Sequence, residues 1–554
     1  MKQLLQNILG VLSGREKRNF SVLLLLDILI NIIDILSLAV LLWIIKLYVQ
    51  PSGSPLPSFL PAWMSAQHAM GMVAVFLVLF AFKNIAAWYV NRANCRFASE
   101  VAIRLSEQNL RYYQQSPFSE FVHTDSSVHI RKISFQPFEF TQYMLSGLQQ
   151  IITQSSLILI AITAIILFNA TLFVLLLLIL LPPVVLVFML IKKRMGRIKD
   201  QIRSSNEHSF RYLLDALKGY VEGNIYGRNG FFEKRFVNTR RQFSHYLFDS
   251  QALQSLPGRI IEVFAILGLF LLIVIANWLG GNDHDLLITI GAFMAAAYKI
   301  IPGIVKLINN MGQMRAYELS MHELQAPALQ EVERAKPEPI RSVGMQQVHF
   351  LYAGTPVVES FSWEAQTGDF IGITGYSGRG KTTLLNLLLG FLSPQSGEVV
   401  INGQPVSPQE CRRYWPSIAY VRQQVFLIND SITKNITLEE NISDASRFQK
   451  VLRASGLQEM IQQLPAGAET VITENGKNIS GGQQQRIAIA RALYANADLI
   501  LLDEPFNELD ERSMHALLAH CRELAQQGKI ILLVTHDKES LAYCNKTISL
   551  DAGK

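Results

Sequence analysis

The chain has 554 residues, half of them hydrophobic and 17% charged, with a net charge of +6. That length exceeds one ordinary core and calls for at least two domains. No long Lys/Arg run and no aromatic–basic interleaving accompany the positive balance, which argues against a nucleic-acid surface and fits the basic loops of a membrane protein. Cys95, Cys411, Cys521 and Cys544 form no C-x-x-C pair, so free thiols are expected rather than a disulfide framework or a zinc site.

In chain order, the first twenty residues do not make a signal peptide. Their basic residues follow the first apolar turn, and the next apolar run is too long for the core of one. An amphipathic helix lying on the inner membrane surface is expected there. Six stretches then reach the ~20 residues needed to cross hydrocarbon: 20–47, 69–92, 143–168, 171–192, 257–280 and 285–312. The third and fourth are joined by a tight hairpin at Phe168-Asn169-Ala170.

Orientation follows from the basic residues. The loop after the first span holds no Lys or Arg, and the one between the fifth and sixth is acidic; both long connections, Asn91 to Gln142 and Lys192 to Gln254, are basic. Both termini and both long connections are therefore expected in the cytoplasm, in a multi-pass plasma (inner) membrane protein. The long connections keep helical spacing with few breakers, so the spans should continue past the bilayer as helices. Their turning points are expected near Ser116–Ser127 and Ser209–Val221.

Asp27, Asp34, Lys83, Arg259, Glu262 and Lys299 fall inside expected spans. Intramembrane charges are costly and face a cavity or a partner. Two readings stay open: a polar path lined by Asp34 and Lys299, or pairing between helices. Pro182-Pro183 and Pro302 are expected to bend their spans.

Residues 1–320 thus read as an all-α, six-helix transmembrane domain with long cytoplasmic extensions. Residues 321–340 are polar, hold three prolines and read as a linker. From 341 to 554 short β-like runs alternate with helices, an α/β domain.

Residues 375–383, Gly-Tyr-Ser-Gly-Arg-Gly-Lys-Thr-Thr, follow the strand-like DFIGIT and precede an apolar helix. This is the context of a phosphate-binding loop. Gly375, Ser377, Gly378 and Gly380 let backbone amides converge on phosphate oxygens, Lys381 adds a point charge, and Thr382, followed by Thr383, offers a hydroxyl to Mg²⁺. About 120 residues later a buried-strand pattern ends in Asp503-Glu504. Asp503 can hold the Mg²⁺ shell, and Glu504 can polarise an attacking water. ATP and Mg²⁺ are the expected ligands.

Between them stands Asn478-Ile479-Ser480-Gly481-Gly482-Gln483-Gln484-Gln485-Arg486. This resembles the signature of ATP-binding cassette (ABC) transporters, Leu-Ser-Gly-Gly-Gln, with Ile in place of Leu. Tyr352 resembles that family's adenine-stacking aromatic residue, Gln423 its Mg²⁺-sensing glutamine and His536 its γ-phosphate-touching histidine. Asn507-Glu508-Leu509-Asp510 is similar to its D-loop at Leu509 and Asp510 only. The resemblance implies an exporter-type half-transporter whose phosphate loop in one subunit faces Ser480 and Gly482 of another. The expected partners are therefore a second copy, in a homodimer with a heterodimer as the alternative, membrane lipid, and an amphipathic substrate.

On cargo, segments 216–236 and 295–317 look similar to bacterial flippases of lipid-linked oligosaccharides. A basic inner cavity built from Lys83, Arg259 and Lys299 would suit a pyrophosphate head. A peptide, siderophore or multidrug exporter is the alternative, with Asp27, Asp34 and Glu262 serving cationic cargo. From another class, an ATP-gated channel or a membrane regulator would often carry a degraded site, and Glu504 and His536 argue against that.

Overall fold

A computed structural model of the chain describes residues 2–49, 69–116, 118, 124–168, 170–278, 283–322, 338–352, 354–376, 378–473 and 476–551. The loop at 50–68, Asn169, residues 323–337 of the expected linker and Ser377 lie outside the described residues. The chain divides into two compact units: Met1–Ser116 with His123–Leu329, and Pro117–Val122 with Gln330–Lys554.

The first unit is helical: α1 (Lys2–Val11), α2 (Gly14–Val49), α3 (Ala69–Gln115), α4 (Ser146–Phe168), α5 (Ala170–Lys218), α6 (Asn229–Trp278) and α7 (Asp283–His322). A helical run from Ser126 leads into α4 and contains two wider π-helical turns, Arg131–Phe135 and Phe140–Leu145. Gly14–Leu41, Val73–Gln115, Ser126–Leu167 and Asn229–Leu271 are long and apolar enough to cross a bilayer. The expected spans 171–192 and 285–312 fall within α5 and α7, which run helically through Pro182-Pro183 and Pro302. Large apolar side chains such as Leu25, Phe82, Leu159 and Leu167 are exposed on the bundle's outside, as a lipid solvent permits. At 1.5 Å per residue, α3, α5 and α6 are each about 70 Å long, more than twice the ~30 Å of hydrocarbon. Helices therefore continue well past the bilayer.

Three expectations change. The α1 helix does not lay its apolar face on lipid: its Leu4 and Ile8, with Leu12 just after it, are buried against Phe20, Phe97, Val101 and Met144. Its amphipathic spacing serves a protein groove. The second turning point lies at the end of the expected Ser209–Val221 and runs a few residues past it. α5 stays helical to Lys218, and the reversal is made by the short helix Tyr220–Ile225 and by Gly227 at φ +63°. Of the two readings of the intramembrane charges, pairing is the one seen, and the basic cavity is what changes: Asp34 on α2 bridges Lys83 of α3 and Lys299 of α7, Arg259 and Glu262 pair with each other on an exposed face, and Asp27 accepts from the amides of Asn94 and Gln149. Lys83 and Lys299 are thus committed to one carboxylate, and the three cations do not assemble into the basic cavity the sequence suggested.

The second unit holds two sheets. β2 (Thr355–Gln366), β1 (Ser342–Tyr352), β4 (Ser396–Ile401) and β5 (Gln404–Val406) pair antiparallel in that order. β6 (Ile418–Val421), β7 (Leu499–Asp503), β8 (Ile530–Val534), β3 (Phe370–Thr374) and β9 (Lys546–Ser549) form a parallel sheet in that order. β7 and β8 are buried at every position, because helices cover both faces of a parallel sheet. One core packs around Ile371, Leu385, Leu501 and Leu532, the other around Phe370, Ile500, Leu518 and Leu533. Phe118, which clusters with this unit, stacks on Phe391 at 4.7 Å. Three helices flank the site: α8 (Lys381–Leu388), which carries Lys381, Thr382 and Thr383, α9 (Gly481–Tyr494), which carries Gly481, Gly482 and Gln483, and α10 (Glu511–Gln526), which follows Asp510.

Candidate nucleotide site

In an open parallel sheet, ligands bind beyond the carboxyl ends of the strands, where the order of strands reverses. Here β3 feeds the phosphate loop, β7 ends at Asp503, and β8 leads to His536. Sheet topology alone brings three distant stretches of sequence to one edge.

Gly378 and Gly380 adopt φ of +80° and +86°, the left-handed region that glycine enters without strain. Gly380 caps α8, whose first amides lack intrahelical partners and face the loop. Gly375 opens the loop, and the Lys381 ammonium folds back over it, donating to the Gly375 carbonyl at 2.8 Å and to that of Tyr376 at 3.3 Å. Thr382 Oγ1 donates to Asp503 Oδ2 at 3.1 Å, and Thr383 is buried beside it. The Tyr420 hydroxyl also donates to Asp503, at 3.4 Å. Burial raises the Asp503 carboxyl above the usual aspartate range, and the charge of Glu504 adds to the shift; the hydroxyls of Thr382 and Tyr420 oppose it. A hydroxyl beside a carboxylate is a hard-oxygen donor set of the kind Mg²⁺ takes from a protein.

Glu504 has φ +48°, an uncommon region for a residue with a side chain. The sharp turn follows from its N–H donating to the Val534 carbonyl at 3.0 Å as the chain leaves β7. Gln423 Nε2 donates to Glu504 Oε2 at 2.8 Å, and Asn507 Nδ2 donates to the same oxygen at 3.1 Å. His536 Nδ1 lies 3.8 Å from the other oxygen, Oε1. One carboxylate oxygen is thus fixed by two amides while its twin faces the histidine. Tyr352, at the end of β1, is half exposed and meets Phe350 edge-on at 5.0 Å, so it is not a core tyrosine.

The signature residues form a second cluster. Ser480 caps α9 by accepting from Gln483 N–H at 3.3 Å, while Gln483 Oε1 accepts from Ser480 N–H at 2.9 Å. A Cβ on Gly482 would lie 2.7 Å from the Glu508 carbonyl, and one on Gly481 3.0 Å from that residue's carboxylate. Asp510 caps α10 through Ser513 and holds Arg486 at 3.0 Å. The Ser513 hydroxyl, chiefly, keeps the Asp510 carboxyl below its ordinary range. Among the described residues no hydrogen bond joins this cluster to the phosphate loop.

Sequence reasoning missed three groups. Tyr420 on Asp503 carries no local signal. Asn507 does, standing three residues after Glu504. The third is Asp551, whose carboxylate accepts from Tyr376 N–H at 3.2 and 3.4 Å and lies 3.6 Å from Arg379 Nε. It pins the phosphate loop from 175 residues away.

A phosphate loop, a strand-end Asp-Glu pair and a capped Ser-Gly-Gly-Gln helix on this sheet define an ATP-binding cassette, carried here by a multi-pass membrane protein. Family models agree: one for the ABC transporter transmembrane region matches residues 20–295, and one described as ABC transporter matches residues 358–507. The chain belongs to the ABC transporter family, with membrane region and cassette fused. It is 29% identical to an ATP-dependent lipid A-core flippase of Alkalilimnicola ehrlichii, over 65% of this chain and 63% of that one. A probable ABC transporter ATP-binding/permease protein of Haemophilus influenzae is also 29% identical, over 62% and 63%. A lipid A-core flippase of Photobacterium profundum is 24% identical over 88% and 84%. The match thus spans about 63% of the length of the first two relatives. In fold, the chain matches the structure of a bacterial Atm1-family ABC exporter with ATP bound, with a TM-score of 0.78 at 19% identity over 97% of this chain and 94% of the other.

Proposed function

We propose that this chain is one half of a homodimeric, ATP-driven exporter or flippase. It moves an amphipathic molecule, a lipid-linked saccharide by preference, from the cytoplasmic side of the inner membrane. The observation that carries the reading is the intact Gln423–Glu504–His536 arrangement on a chain similar to ATP-dependent lipid A-core flippases. The basic long connections support a cytoplasmic position for the cassette and both termini.

In this reading Lys381 and the loop amides hold the β- and γ-phosphates, and Tyr352 stacks on adenine. The oxygens of Thr382 and Asp503, with Oε1 of Gln423, would hold Mg²⁺. When bound, that ion neutralises charge developing on the phosphates. Glu504, anchored by Gln423 and Asn507, orients a water on the γ-phosphorus through its other oxygen. Water oxygen bonds to phosphorus as the bond to the bridging oxygen breaks, and ADP and phosphate leave. His536 donates to the γ-phosphate. The capped α9 of the second copy presents its Ser480, Gly481, Gly482 and Gln483 to the same nucleotide, and Asp510 keeps that helix in register through Arg486. Two nucleotides close the pair, and the long helices carry closure to the spans.

The test is ATP turnover of the full chain in liposomes against a panel of lipid-linked sugars, peptides and cationic drugs. Stimulation by the lipid-linked sugars is expected. Stimulation confined to the peptides or the drugs would replace the cargo, and absence of any turnover would remove the engine.

A further inference from the structure

The first unit contains a cavity of about 780 Å³ between α2, α3, the run leading into α4, α4 itself and α7. Its lining is unlike that of an ordinary membrane bundle. Twelve of its nineteen lining residues are uncharged amides or hydroxyls, one is acidic (Asp27) and one is basic (Lys306). Eight of the nineteen, all polar, fall inside expected spans toward their cytoplasmic ends, where polar groups are costly and persist where they meet a polar partner.

The acid is already satisfied. Asp27 accepts from Gln149 Nε2 at 2.7 Å and from Asn94 Nδ2 at 3.2 and 3.3 Å. Having turned its amino group to Asp27, Asn94 keeps a buried Oδ1 with no partner among the described residues. Asn91, Gln142 and Gln154 line the same space without a side-chain hydrogen bond among the described residues. Ser134, Thr141 and Gln142 reach it from the two π-helical turns, a device that re-aims side chains at functional sites. Lys83, Arg259 and Lys299 do not line it.

We infer that this cavity receives an uncharged, hydrogen-bonding head of the cargo, glycan hydroxyls or peptide amides, and not a phosphate or an ammonium group. The inference rests on the transport reading above and deepens it. A phosphate offers acceptors only, and beyond Lys306 the cavity holds no cation to meet it. An ammonium group would need a free carboxylate, and Asp27 is occupied. Hydroxyls and amides both donate and accept, which suits the amides of Asn91, Gln142 and Gln154, each of which presents both kinds of group. Asp27, Asn91 and Gln149 fall at the cytoplasmic ends of the expected spans. A head held there leaves an attached acyl chain at lipid depth.

The test uses the full chain in nanodiscs and four photoreactive dodecyl probes with maltose, dialanine amide, phosphate or trimethylammonium heads. Crosslinked peptides are mapped by mass spectrometry. The maltose or dialanine head is expected to label residues 91–106 and 142–154, and the stronger of the two distinguishes glycan from peptide cargo. The variant N91L/Q142L/Q154L should lose about ten-fold in labelling, because apolar replacements leave the head's donors unpaired. Q142N/Q154N, which keeps the amides, should restore most of it. Thermal midpoints of both variants separate this loss from misfolding. Preferential labelling by the phosphate head, abolished by Lys306→Gln, would overturn the inference. So would a crosslink from Gln154→Cys to a second copy with no probe present, which would mean that the partner fills the cavity. Those outcomes leave ATP turnover intact, whereas absent turnover would instead remove the transport reading.

Discussion

The cassette and the membrane unit solve opposite problems. The cassette buries β7 and β8 at every position and exposes its chemistry at one sheet edge, where backbone geometry sets the site. The membrane unit exposes its apolar side chains and keeps polar groups inside, as the Asp34 bridge and the amide-lined cavity do. In the cassette, side chains act on a frame that the backbone makes. In the bundle, long-range side-chain pairing makes the frame.

The comparison is broken most directly at Glu504. Replacing it with Gln should leave ATP bound and reduce phosphate release by at least ~100-fold, since a positioned base contributes that much. Turnover near wild type would remove Glu504 from its role. In the bundle the corresponding blow is Asp34→Asn, which leaves Lys83 and Lys299 facing each other without their carboxylate. A loss of about 3 kcal/mol is expected for a broken, largely buried ion pair, read as a lowered thermal midpoint in detergent. An unchanged midpoint would mean that the bridge does not hold α2, α3 and α7 together.

A gentler probe is Asp551→Ala. It frees Tyr376 N–H and Arg379, and the KM for ATP should rise about two- to five-fold with kcat nearly constant, as expected for one partly exposed charged contact. A fall in kcat alone would place Asp551 elsewhere in the cycle.

The smallest effect is a pH dependence whose acid-side rise comes from the cassette. Asp503 sits above the ordinary aspartate range through burial, so its ionised form costs stability and that cost is relieved as pH falls through its raised value. Asp510 and Asp537 sit below that range, chiefly through the hydroxyls of Ser513 and Ser540. Their stabilisation is present above the unfolded value of about 3.9 and is lost as pH falls through their lowered values. The nucleotide-free midpoint should therefore rise slightly on mild acidification and then fall, and Asp503→Asn should erase the rise.

Legibility in the sequence follows the same division. The phosphate loop, the signature and Asp503-Glu504 are contiguous motifs, each tied to one strand end or one helix cap, so local spacing exposes them. The spans are legible from hydropathy. The clamp from Asp551, the hydroxyl of Tyr420 and the bridge at Asp34 join residues 49 to 265 positions apart, and no local pattern encodes them. The cavity lies between these extremes. Asn91, Cys95, Ser99, Ala102 and Ser106 recur every three or four residues along α3, as do Gln142, Ser146, Gln149 and Thr153 into and along α4. A search for polar helical faces, rather than for single charges, would have found them. The turn after α5, running past its expected end, has a different cause. Helical spacing continues through Lys218, and only Gly219 and Gly227 end it.

The grip of Asp551 on the phosphate loop has a practical corollary. A fluorophore or affinity handle attached just past β9 would sit beside the nucleotide cradle rather than at a neutral outpost. Such a label could report nucleotide arrival directly, and apparent ATP affinities measured with one in place would carry its imprint.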